Sequence, residues 1–73
     1  MELNERIKAW RMCRGLSVAD FAALVGRSKP AVYQWESGAM EPTHDTLAVI
    51  AQAVGVSMSR FWGAVPAPKR KSA

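Results

Sequence analysis

With 73 residues and 49% hydrophobic content, the chain is one small domain, near the lower size limit at which a single core suffices without staples. Cys13 is the only cysteine and His44 the only histidine, which excludes an intramolecular disulfide, points to a reducing cytoplasm and leaves no tetrahedral ligand set for zinc, so neither metal nor cofactor is expected. The net charge of +4 favours polyanions, but Lys69, Arg70 and Lys71 hold three of the ten basic residues, and the rest of the chain, with seven basic and six acidic residues, is almost neutral.

In chain order, glycines at 15, 26, 38 and 55 each follow a stretch of helical periodicity and cut the sequence into helix-sized pieces. The opening MELNERIKAW mixes charged and apolar residues instead of carrying a signal-peptide run, and Leu3, Ile7 and Trp10 form one apolar stripe that ends before Gly15. Ser17 caps a second helix that carries Phe21 and Leu24, with Asp20 three residues on completing a capping box. Ser28 caps a third helix with Pro30 in its first turn, where a missing amide proton costs nothing. Pro42 and Thr43 open a fourth, with Leu47, Ile50, Ala51 and Val54 on its inner face, and Ser57 caps a short fifth, SMSRFW. Period-2 alternation is nowhere sustained, so strands are not expected.

The expected architecture is therefore all-α, a five-helix domain over residues 1–63 followed by a disordered basic tail over 64–73. Trp10, Phe21, Leu24, Val32, Trp35, Leu47, Ile50, Val54 and Phe61 are the expected core. No stretch approaches the roughly 20 apolar residues that span a bilayer, so no membrane partner is expected and the location is cytoplasmic.

The segment SVADFAALVGRSKPAVYQWESG, Ser17 to Gly38, reads as two short helices joined by a glycine turn. Small Ala22 allows a close helix crossing, Gly26 suits a left-handed turn, and Val32 and Trp35, three apart, face inward. This is the pattern of a helix-turn-helix, which lays its second helix in the DNA major groove. Arg14, Arg27 and Lys29 flank or open these helices, whereas Glu41 and Asp45 fall on the next loop and helix.

Taken together, LSVADFAALVGRSKPAVYQWESGAMEP and the later LAVIAQAVGVS resemble the lambda-repressor-like family, the Xre or phage Cro and repressor type. The W-E-x-G that ends at Gly38, Pro42, and the A-x-x-x-G-V-S from Ala51 to Ser57 carry the resemblance jointly. One position departs: Val18 stands where the family has a glutamine that touches a phosphate and braces a glutamine of the third helix.

The resemblance implies that Ser28, Lys29, Pro30, Tyr33 and Gln34 read bases from the third helix, the alternative for each being a solvated polar face. Arg14, Ser17, Arg27 and the loop after Gly38 are expected at phosphates; for Ser17 and Ser28 helix capping is the first role, and for the arginines the alternative is plain solvation. Glu36, next to Trp35, asks for a partner because an unpaired carboxylate near a core is costly, and the resemblance supplies Arg11 as that ion pair. Met58, Trp62 and Val65 are either an apolar patch that pairs two copies or packing onto the same chain.

The expected function is that of a sequence-specific, double-stranded-DNA-binding transcriptional regulator, a homodimeric repressor on a palindromic operator. The rival is an interaction module, an antitoxin or anti-repressor that uses the same fold to hold a protein partner such as a toxin or another regulator. Catalysis is not expected, since there is no Ser/His/Asp set, no phosphate-cradling glycine loop and no paired carboxylates.

Overall fold

Four hydroxyl side chains set where helices begin. Ser17, Ser28, Thr43 and Ser57 sit in extended backbone and accept a bond from the amide three residues on: Asp20 at 3.0 Å, Ala31 at 3.3 Å, Thr46 at 3.2 Å and Arg60 at 3.1 Å. A computed structural model describes residues 1–67, with α1 Leu3–Cys13, α2 Val18–Val25, α3 Lys29–Ser37, α4 His44–Ala53 and α5 Met58–Phe61, and no strand among the described residues. These are the five helices anticipated from the sequence. The capping box expected at Ser17 forms only by half: the hydroxyl takes the Asp20 amide, but the Asp20 side chain makes no return bond to Ser17. An aspartate is one methylene shorter than the glutamate that usually closes such a box.

Helix ends follow the glycines. Gly15, Gly26, Gly38 and Gly55 all have positive φ. At Gly26, φ is 68°, and the Gly26 and Arg27 amides donate to the carbonyls of Ala23 (3.2 Å) and Ala22 (2.9 Å). This pair of bonds closes α2 and turns the chain into α3 within three residues.

The core is built on Trp10 and Phe61. Both are fully buried, their rings stack with centroids 6.4 Å apart, and the Trp10 indole Nε1 donates to the Phe61 carbonyl at 2.9 Å, so neither the ring nor its polar atom is left unmatched. Ile7, Phe21, Val32, Trp35, Leu47, Ile50 and Val54 join them, as the sequence pattern predicts. Leu24 does not: it is 56% exposed. The inner stripe of α2 runs through Val18, Phe21, Ala22 and Val25 at spacings of three and four, and Leu24 falls beside that stripe.

Val65 packs half-buried against the core, while Arg6 donates to the Gly63 carbonyl and Arg60 to that of Ala64. The tail residues Lys69, Arg70 and Lys71 lie outside the described residues. Among the described residues, no helix is long and apolar enough to cross a membrane.

Replacing Gly26 by alanine separates conformation from space. A Cβ there meets nothing within 4 Å, so a purely steric account gives no effect, whereas the left-handed backbone costs about 1–2 kcal/mol for any other residue. Urea unfolding of Gly26→Ala is expected to show that loss with an unchanged m-value.

Candidate nucleic-acid interface

The third helix divides cleanly into two sides. Val32 and Trp35 are buried against α1 and α2, which puts Lys29, Pro30, Tyr33, Gln34 and Ser37 on the solvent side, all exposed, with Tyr33 at 58%. Ser28 sits at the head of the same surface with its hydroxyl occupied by the Ala31 amide. Gln34 gives its backbone carbonyl to the Met40 amide and the Ser37 hydroxyl, both at 3.2 Å, and its side-chain amide makes no hydrogen bond among the described residues. Lys29 joins no ion pair there, so both side chains keep their donors for an outside partner.

The inner side of α3 is held by charge as well as by packing. Arg11 Nε and Nη2 meet Glu36 Oε2 and Oε1 at 2.7 and 3.1 Å, a two-pronged pair, while Nη1 donates to the Leu16 carbonyl at 2.8 Å. The two side chains are only 12% and 9% exposed. One guanidinium thus fixes the end of α3 to α1 and to the loop that leads into α2. Asn4, from the first turn of α1, adds a 3.4 Å bond to the Glu36 carbonyl.

The residues expected at phosphates separate. Arg27 is exposed between α2 and α3, bonded only to the neighbouring Gly26 carbonyl at 3.2 Å, and with Lys29 it brackets Ser28 by two cations. Ser17 stands at the start of α2. Arg14 is engaged elsewhere: its Nε donates to the Val54 carbonyl at 2.8 Å, and its guanidinium lies 5.6 Å from the centre of the Trp10 ring. The last carbonyls of a helix lack partners of their own, and Arg14 serves one at the end of α4. The loop after Gly38, Ala39 to Glu41, contains no cation. Val18, at the first position of α2, is half-buried against the core and makes no polar contact.

Asn4 was not legible from the sequence. Its bond to Glu36 spans 32 positions, and an asparagine on the polar side of an amphipathic helix carries no mark of such a partner. Met58 and Val65 are half-buried against their own core, and of the three residues assigned to pairing only Trp62 is exposed, at 48%.

Comparison with known proteins decides the family. The helix-turn-helix family HTH_3 matches residues 7–61, which contain α2, α3 and the core around them. The chain belongs to the HTH_3 helix-turn-helix family. Among solved structures, this HTH_3 domain is similar to an HTH_3 family transcriptional regulator from Vibrio cholerae at 38% identity and a TM-score of 0.76, over 82% of this chain but 34% of that one. It thus spans about a third of that protein's length. The DNA-binding domain of the P22 C2 repressor is similar at 30% identity and a TM-score of 0.78, over 84% of this chain and 80% of that one. The clp gene regulator ClgR from C. glutamicum, at 22% identity, shares the fold with a TM-score of 0.76 over 81% of this chain and 76% of that one. No curated protein sequence matches the chain.

Removing one member of the Arg11–Glu36 pair leaves its partner's charge stranded in a poorly solvated place. Arg11→Ala is expected to cost about 3 kcal/mol in urea unfolding, and adding Glu36→Ala should cost less than the two single losses combined. A double-mutant cycle that shows simple additivity rules out the pair as a coupled clamp.

Proposed function

We propose that this domain is a sequence-specific DNA-binding transcriptional regulator that inserts α3 into the major groove. The reading rests on one observation: Lys29, Pro30, Tyr33 and Gln34 form an uncovered surface on a helix whose opposite side is fixed by Val32, Trp35 and the Arg11–Glu36 pair. A rigid helix with free donors on its outer side matches the major groove, where base edges differ in their pattern of donors and acceptors.

The roles follow from side-chain chemistry. Lys29 donates to guanine O6 and N7, Gln34 makes a two-bond pair with adenine N6 and N7, and Pro30 supplies apolar contact to a thymine methyl. Tyr33 covers the adjoining base, and Ser28 both caps α3 and lies at its edge. Arg27 and Ser17 hold the phosphates that pass the starts of α2 and α3, where the positive ends of the helix dipoles point. Arg14 leaves this set because the Val54 carbonyl and the Trp10 ring hold its guanidinium toward the α4 and α5 end of the domain. Val18 adds no phosphate contact, so the start of α2 relies on Ser17 and backbone amides.

Two copies on a palindromic operator, with recognition helices about 34 Å apart, form the functional repressor, which acts by occluding polymerase. The duplex itself aligns the pair, since Met58 and Val65 are largely committed to their own chain. Likeness to a domain named for DNA binding and to a named transcriptional regulator supports this reading.

The test is binding to duplexes selected from a random pool, measured by mobility shift across a salt series. Lys29→Ala and Gln34→Ala should each lose about 1–3 kcal/mol on the selected duplex and little on unselected DNA. Arg27→Ala should weaken both alike and flatten the log–log salt slope by about one. Should Lys29→Ala and Gln34→Ala bind the selected duplex as the parent does, α3 is not the reader, and an asymmetric footprint would exclude the two-fold pair.

A further inference from the structure

Three arginines gather at the end of the molecule formed by α1 and α5, none of them paired with a carboxylate. Arg14 and Arg60 have guanidiniums 5.6 and 5.2 Å from the centre of the Trp10 ring, and that of Arg6 lies 5.7 Å from the Trp62 ring. Each is pinned by a backbone carbonyl: Arg6 by Phe61 at 2.9 Å and by Gly63, Arg14 by Val54, Arg60 by Ala64. Among the described residues the one ion pair is Arg11–Glu36, so none of these three guanidiniums lies within salt-bridge distance of a carboxylate. Beside them Trp62 is 48% exposed, edge-on to the buried Phe61 at 5.3 Å between ring centres. The cluster is separate from the reading surface, because α5 packs on α4 and against Trp10 of α1, while the exposed side of α3 faces away from its own contacts with α1 and α2.

We propose that Arg6, Arg14, Arg60 and Trp62 form a docking surface for an acidic segment, bearing apolar side chains, of a partner protein. Each guanidinium has five N–H groups and spends one or two on carbonyls, which leaves terminal donors held in place for carboxylates. Pinning by carbonyls and rings removes much of the side-chain freedom that binding would otherwise have to freeze. Trp62 supplies the apolar anchor, the residue type over-represented at the energetic centre of interfaces.

The other occupants fit less well. A second copy in a two-fold contact sets a surface against itself, and here that opposes Arg6, Arg14 and Arg60 to their own counterparts with no carboxylate between. The segment PKRKSA that follows the described residues is basic and is repelled by the same charges. A DNA backbone offers phosphates but no apolar surface to Trp62.

The test uses a short synthetic peptide that alternates glutamate with leucine and phenylalanine, titrated into the isotopically labelled full chain and followed by NMR. Binding should move the Trp62 indole signal and the Nε–H signals of Arg14 and Arg60 while those of Lys29 and Gln34 stay in place. Arg60→Glu should weaken the peptide about tenfold and leave duplex affinity unchanged. Trp62→Ser should do the same without reversing any charge, and thermal unfolding of both variants reports whether the domain is intact. The proposal is overturned if the peptide leaves the Trp62 signal unmoved at millimolar concentration, or if polyglutamate binds equally well. It is overturned too if a duplex shifts these signals in place of those on α3, or if dilution of the chain alone shifts them, which would assign the surface to DNA or to a second copy.

Discussion

A single guanidinium decides the pose of α3. Arg11 spends Nε and Nη2 on the Glu36 carboxylate and Nη1 on the Leu16 carbonyl, so the helix, the loop before α2 and α1 meet at one planar group. Apolar packing of Val32 and Trp35 supplies adhesion but little direction, since the hydrophobic effect is proportional to area and indifferent to angle. The fork supplies the direction. Without it the outer residues of α3 would keep their identity but lose a fixed relation to the Ser17 and Ser28 helix starts.

Most of the fold was legible because its local signals agree with one another. The hydroxyl caps at Ser17, Ser28 and Ser57, the glycine ends and the apolar stripes mark the same boundaries independently, and such agreement across levels is what specifies one structure. Leu24 escaped because spacing from one buried residue does not locate the centre of a stripe; in an eight-residue helix a side chain three positions from Phe21 still lands outside it. The hold on the segment after Phe61 escaped for a different reason: a proline-flanked stretch carries no mark of the bonds by which Arg6 and Arg60 take the carbonyls of Gly63 and Ala64.

Of the candidate site, the outer side of α3 and the Arg11–Glu36 pair were legible in the sequence, and the partners of Arg14 and Asn4 were not. Residues on the outer side of α3 follow from helical periodicity once Val32 and Trp35 are placed inside. Arg14 shows the limit of that logic, because an arginine near a helix start in sequence is free to reach a carbonyl 40 positions away. Sequence distance says nothing of which helix end lies closer in space. The same holds for Asn4, whose use depends on a tertiary approach that no local pattern encodes.

The tie between Trp10 and Phe61 spans 51 positions and joins the first helix to the last. A ribosome releases Trp10 51 positions before Phe61, so the largest core side chain waits for its lid while the rest of the domain is made. Local turns can form in the tunnel's wake, but the interior stays open to water until the fifth helix emerges. The domain therefore matures in one late closure, and a chain cut short before Phe61 exposes an unshielded indole where the finished protein has its centre.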